Sequence, residues 1–263
     1  MMEQDQLLAL YRACFPEDPP AFWEWIFSKV YRPENTLNVW EEGTIIASLQ
    51  MIPCALRYGD AVFAAHYIYA ASTLPERQGR GLMAGLLARA AEEGRSRGHA
   101  FSVLITQEDS LLDYYARFGY QGRFEIVYRA PERAELQPGQ HVRTACAQDL
   151  DAMNTIYEQA AAGMLHGVRD RTDWLLQLEL FGEGAQVLER DDVVTAYAFA
   201  DERGVLEAAG QDAGVLAAHI APDQPWRTVP CGDGVPMGSI KPLQEAVRGV
   251  MEQNPCFLNL MFN

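Results

Sequence analysis

The stretch Tyr67–Gly85, YIYAASTLPERQGRGLMAG, limits the possible folds more than any other. An apolar run rich in aromatic and small residues ends at Pro75, and an Ala-, Leu- and Arg-rich helical pattern covers Gly79–Arg97. A strand must therefore hand over to a helix within a few residues. Gly79 and Gly81 have no Cβ, so the main chain there can turn left-handed and come close to a ligand. The first N–H groups of a helix lack internal acceptors and sit at the positive end of its dipole, which suits an anion. Arg77 and Arg80 add charge, and together these features predict a diphosphate cradle. A joint whose glycines only relieve strain is the commoner reading of an isolated G-x-G. A dinucleotide-binding turn fits less well: it needs serial strand–helix crossovers, and the next strand ends in Thr106-Gln107 without an acidic ribose ligand.

Around this joint the pattern predicts helices at Gln4–Phe15 and Ala21–Val30, then strands at Thr36–Trp40, Thr44–Arg57 and Ala61–Ser72. A short apolar strand Phe101–Thr106, a helix Ser110–Phe118 and a strand Phe124–Arg129 follow the central helix. The second half repeats this order loosely, with helices at Leu150–Ala162 and Thr172–Leu180 and a meander Gln186–Glu189, Val193–Ala200, Val205–Ala208. Val215–Ile220, Leu243–Met251 and a terminal strand Phe257–Phe262 complete it. Ala130–His141 carries two prolines and reads as a linker. The expectation is an α+β chain of two related domains, 1–132 and 141–263, each a mixed, mostly antiparallel sheet flanked by helices.

Of the 263 residues, 49% are hydrophobic and 22% charged, as in a globular chain with a real core. The net charge is −15, unevenly spread: 13 basic and 18 acidic residues in 1–140, against 8 and 18 in 141–263. Such a field repels nucleic-acid phosphates and anionic lipid and attracts small cations. No membrane span or signal peptide is expected. Five scattered cysteines and five scattered histidines lack metal-ligand spacing, so no metal and a reducing, cytoplasmic setting are expected. Self-association into a homo-oligomer stays open.

The run Tyr67–Tyr120 resembles the core of GNAT-type acyl-CoA N-acyltransferases. Their signature, Gln/Arg-x-x-Gly-x-Gly/Ala behind a proline, reads here Gln78-Gly79-Arg80-Gly81-Leu82-Met83 with Pro75 in place, Met83 replacing the small last residue. The later Asp113-Tyr114-Tyr115-Ala116-Arg117-Phe118-Gly119-Tyr120 also falls in the family's order and is similar to the enhanced-intracellular-survival-type tandem acetyltransferases. The resemblance covers about residues 1–130 and implies two GNAT-like domains in tandem, the second degenerate. It implies that acetyl-CoA is a substrate. Its pyrophosphate would meet the amides of Gln78, Gly79, Arg80, Gly81, Leu82 and Met83 beside Arg77, and its pantetheine arm would pair with Tyr69, Ala70, Ala71 and Ser72. The strand Phe101–Thr106 would splay away to make room for the thioester.

Acyl transfer to an amine needs a neutral amine and a proton for the leaving thiolate. The resemblance implies Tyr115 as proton donor, with Tyr114 a lesser candidate about 100° round the helix; both could equally be core packing. No Asp or Glu lies between Asp60 and Glu76, so the strand carboxylate base of some relatives is missing, and Tyr67 stands at its position. His66, Glu108 and Asp109 are the remaining nearby candidates, each with a structural alternative. In the tandem relatives a C-terminal carboxylate acts as base, which would make Asn263 catalytic; a terminal strand that completes the second sheet is the plainer reading. The second half has no glycine signature and should wall the acceptor side. The expected activity is N-acetyl transfer to a primary amine of a small cationic acceptor, in a ternary complex. A non-catalytic acyl-CoA-binding regulatory module is the alternative.

Overall fold

The computed structural model describes residues 3–106, 108–130, 134–229 and 234–259. In chain order the elements are α1 (Glu3–Cys14), α2 (Pro20–Lys29), β1 (Thr36–Glu41), β2 (Thr44–Tyr58), β3 (Ala61–Thr73), α3 (Leu82–Ser96), β4 (Phe101–Ile105), α4 (Asp109–Ala116) and β5 (Gln121–Arg129). They continue with β6 (Gln140–Thr144), α5 (Leu150–Ala160), β7 (Leu165–Gly167), α6 (Arg171–Phe181), β8 (Ala185–Arg190), β9 (Val193–Asp201), β10 (Gly204–Gly210) and α7 (Ala213–Ile220). Last come β11 (Trp226–Thr228), β12 (Val235–Pro242), α8 (Arg248–Gln253) and β13 (Cys256–Phe257). The fold class is α+β as the sequence pattern implies. Among the described residues no helix is long and apolar enough to cross a membrane.

Two compact units divide the chain, one of residues 1–123 with 238–253, the other of 124–237 with 254–263. In the first, β1–β2–β3 is an antiparallel meander and β4 lies parallel to β3. Glu42 and Gly43, both at positive φ, make the tight β1–β2 turn whose twist suits a hairpin. Residues 238–242 of β12 cover the free edge of β4, antiparallel, from Gly238 opposite Ile105 to Pro242 opposite Phe101. On one face of this sheet α3 lays Leu86, Leu87 and Ala90 against Ala47, Leu49, Met51, Ile68 and Leu104. On the other, Tyr11 of α1 and Trp23 of α2 stack 4.8 Å apart, with Tyr69 of β3 within 6.5 Å of Trp23.

The second unit repeats the plan. Its meander β8–β9–β10 is antiparallel, β11 runs parallel to β10, and β5 pairs antiparallel with β11. β6 extends the far edge beside β8, and β13 joins β5 to β7 by parallel pairs. Met153 and Tyr157 of α5 and Trp174 of α6 pack on one face with Val187, Tyr197 and Phe199; Leu216 and Ala217 of α7 pack on the other. Asp170 and Asp173 form a reciprocal capping box that fixes where α6 begins.

The expected division at 132/141 does not coincide with these units. Each sheet takes its strand beyond the parallel pair from the other half of the chain: β5, from the first half, lies beside β11, and β12, from the second, lies beside β4. Pairing over such separations leaves no local trace in sequence, whereas the proline-rich segment does, which is why the linker drew the boundary. Of the expected terminal strand Phe257–Phe262, β13 supplies Phe257, Leu258 and Asn259 are outside any strand, and residues 260–262 lie outside the described residues.

Candidate functional site

The corner between β3 and α3 is built by the residues of the glycine signature. Pro75–Arg77 make one 3₁₀ turn, and α3 starts at Leu82 rather than at Gly79. Gly79 and Gly81 have φ of +75° and +76°, dihedrals that a side chain strongly disfavours. A Cβ built on either would meet nothing within 4 Å, so space in front of the corner is open and conformation alone demands glycine. The N–H of Gly85 is the first to find a helical acceptor, Gly81 O at 3.1 Å. Among the described residues the main-chain N–H groups of Gly79 through Ala84 have no main-chain partner, and no side chain caps the helix. That leaves a convergent set of donors at the positive end of a 15-residue helix.

The two arginines are not loose. Glu41, the last residue of β1, accepts from Arg77 Nε at 2.6 Å and from Arg80 Nη1 at 3.2 Å, one carboxylate oxygen for each. The hydrogen bond from Arg77 holds the Glu41 carboxyl below the usual carboxylate range. Sequence reasoning missed Glu41, which lies more than thirty residues upstream with no motif around it. Gln78, exposed, donates from Nε2 to Thr73 O at 3.4 Å.

Tyr69, Ala70, Ala71 and Ser72 lie on the last stretch of β3, where the strand is bent. Between the pairs Ser48–Ser72 and Gln50–Tyr69, β2 has one residue and β3 has two, Ala70 and Ala71. This bulge puts Ala70 at φ +48°, and Ser72 Oγ ties it by donating to Ala70 O at 2.8 Å. Pairing between β3 and β4 stops at Tyr67 with Val103, although β3 continues to Thr73 and β4 to Ile105. The two parallel strands therefore part just before the bulge. Leu82 and Met83 lean on the α3-side core, so the larger residue at the signature's last position is accommodated as packing.

Tyr115 of α4 is buried in the same apolar cluster as Ile68 and Leu104, the residues that follow the last β3–β4 pair. Burial, and then the neighbouring Tyr114, push its hydroxyl up to about 12, so it stays protonated at neutral pH. Tyr114 shares the aromatic packing at 5.2 Å, but it is the more exposed of the two and lies under the Arg117 guanidinium. Tyr120 donates to or accepts from Ser102 Oγ at 2.7 Å and is a buried structural group.

His66 is fully buried on the α3 side of β3, its Nδ1 2.9 Å from His99 Nδ1 and its ring against Gly94. Burial, with the His99 and Arg97 charges, lowers it to about 3, which together with its inaccessibility removes it as a base. Tyr67 faces the opposite, aromatic side, 5.8 Å from Tyr69. Glu108 precedes α4 without capping it and accepts from Ser110 Oγ at 3.2 Å. Asn263 lies outside the described residues. Among those, no group of three or more His, Cys, Asp or Glu is placed to hold a metal.

Residues 2–122 match the family model described as an acetyltransferase (GNAT) domain. No curated protein matches the chain. Among solved structures, Eis1 from Mycobacterium abscessus is 14% identical with a TM-score of 0.64, covering 92% of this chain and 72% of its own. A GCN5-related N-acetyltransferase from Kribbella flavida is 14% identical with a TM-score of 0.63, over 92% and 70%. A tandem GNAT protein from the clavulanic acid biosynthesis pathway is 12% identical with a TM-score of 0.52, over 92% and 95%. At these identities the likeness is one of fold.

Proposed function

We propose, from the GNAT acetyltransferase domain over residues 2–122 and the fold shared with tandem members, that this chain is an acyl-CoA-dependent acyltransferase that moves an acetyl group from acetyl-CoA to a primary amine of a small cationic acceptor. The observation that carries the reading is the open corner at Gly79 and Gly81, with main-chain donors that nothing in the described protein uses. Donors fixed in place before a ligand arrives bind its charge without having to reorganise. The amides of Gly79 through Met83, with Arg77 beside them, would hold the diphosphate, while the Gln78 N–H is spent on Pro75 O at 3.3 Å.

The bulged end of β3, from Tyr69 to Ser72, supports a place for the pantetheine arm, because β3 runs on past its last pair with β4, Tyr67 with Val103, and bends there. Tyr115 would donate the proton to the departing thiolate: its hydroxyl is neutral, it packs where the strands part, and no hydrogen bond among the described residues occupies it. With no strand carboxylate and His66 sealed away, the amine would lose its proton through water, with Glu108, Asp109 or the Asn263 carboxylate as the group that takes it up. Direct attack in a ternary complex is the mechanism this layout favours: Tyr115 offers a proton for the thiolate, and Cys14, beside the end of β3, commits its thiol to Thr73 O at 3.4 Å and has its pKa raised by burial, which makes it a poor acyl carrier. The net charge of −10 over residues 141–263 favours a cationic acceptor.

Calorimetric titration with CoA and a free-thiol assay over a panel of amines test the reading. Saturable CoA binding and amine-dependent thiol release are expected. Tyr115→Phe should lower kcat about 100-fold with CoA affinity unchanged, the usual scale for a lost general acid. Absence of CoA binding at millimolar ligand overturns the proposal. Binding without thiol release from any amine favours the non-catalytic acyl-CoA module instead.

A further inference from the structure

Glu41 stands at the lip of an anion-binding corner, where a carboxylate is out of place on charge alone. Its geometry explains the position. It ends β1, immediately before the tight Glu42-Gly43 turn, and spends one oxygen on Arg77 Nε and the other on Arg80 Nη1. Among the described residues neither guanidinium makes any other hydrogen bond, so the remaining side-chain N–H groups of both arginines are uncommitted. All three side chains are part-exposed, at 38%, 52% and 32% for Arg77, Arg80 and Glu41.

We propose that Glu41 is a positioning residue for acyl-CoA: it holds Arg77 and Arg80 beside the Gly79–Gly81 corner so that their unused N–H groups meet the diphosphate already ordered. This rests on the reading of that corner as the diphosphate site. Two effects of the carboxylate oppose each other. Its charge repels an incoming anion, but across solvent at physiological salt that repulsion is strongly screened. Its hydrogen bonds, in contrast, remove in advance the rotamer freedom of two long side chains, which the ligand would otherwise have to remove on binding. The second effect is local and unscreened, so it prevails. Residue 41 therefore acts through the arginines and touches no reacting atom.

The test is calorimetric binding of CoA to the full chain as wild type, Glu41→Ala and Glu41→Gln, at about 50 and 200 mM salt, with thermal unfolding of each. Removing the ordering of two arginines should raise the dissociation constant about tenfold in Glu41→Ala. Glu41→Gln should fall between the two, since its amide oxygen can still accept from one guanidinium. The salt dependence should steepen in Glu41→Ala, because the corner gains a net positive charge, a change that loss of a purely structural contact does not produce. Equal or tighter binding in Glu41→Ala overturns the inference while leaving the corner's role intact. Weaker binding with an unaltered salt slope and a lowered unfolding midpoint overturns it in favour of a structural contact. A wild-type titration with no heat of binding removes the corner's role, and the inference with it.

Discussion

The two units follow one plan, an antiparallel meander whose third strand gives way to a helix and lies parallel to a fourth, yet they treat that handover in opposite ways. In the first unit β3 passes into α3 through glycines at positive φ, an open corner and two arginines. In the second β10 passes into α7 through Gly210-Gln211-Asp212. A Cβ on Gly210 would lie 2.3 Å from Thr195 O, so main chain closes that corner. Asp212, buried at the start of α7, accepts from Arg190 Nη2 at 2.7 Å and from Thr195 Oγ1 at 2.6 Å. A carboxylate thus occupies the place where the first unit leaves donors for an anion. The same joint stands open in one unit and is closed by the protein itself in the other; the sign of the local charge and the room in front of the helix separate them.

The largest effect that could break this contrast is at Gly81. Gly81→Glu forces a side chain into the left-handed region and sets a negative charge before the donors; kcat/KM for acyl-CoA should fall at least about 100-fold, roughly 2.7 kcal/mol of transition-state binding. Steady-state kinetics at varied acyl-CoA measure it, and retention of near-normal kcat/KM would mean the corner is not a ligand site. The mirror substitution, Asp212→Ala, removes a buried charged acceptor and strands its two donors, so it should cost about 2 kcal/mol in denaturant unfolding. CoA affinity should not change; a loss of affinity would show that the second joint is not merely structural.

The smallest expected effect concerns the buried side of the first joint. His66 titrates at about 3 when folded and near 6.5 when unfolded, so the unfolded chain takes up the proton first as pH falls. Stability is therefore full above about pH 6.5 and declines below it down to about pH 3, by about 1 kcal/mol at pH 5.5. Urea unfolding at pH 7.5 and 5.5 checks this, with His66→Gln flattening the difference.

Much of the first joint could be read from sequence because its determinants are local. Pro75, Gly79 and Gly81 act on dihedrals within a few residues, and the alternation of His66 with Tyr67 holds in the structure, one ring against Gly94 and the other against Tyr69. What escaped depends on distant chain. Glu41 reaches Arg77 across a hairpin and a whole strand, and Ala70 turns left-handed because β2 lacks one opposing residue, not because alanine favours it. In the second half, the bidentate Arg169–Glu207 pair, with Tyr197 on the same carboxylate and Asn259 bridging both partners, organises a buried centre that no spacing announced.

The reciprocal placing of β5 and β12 bears on biosynthesis. As the polypeptide leaves the ribosome, residues 2–122 emerge ahead of β12, and β4 lacks this edge partner until residue 242 has been made. An unpaired edge is a template for unwanted association. The first sheet therefore cannot close until chain far beyond residue 122 has been made, and its framework waits on residues 238–242.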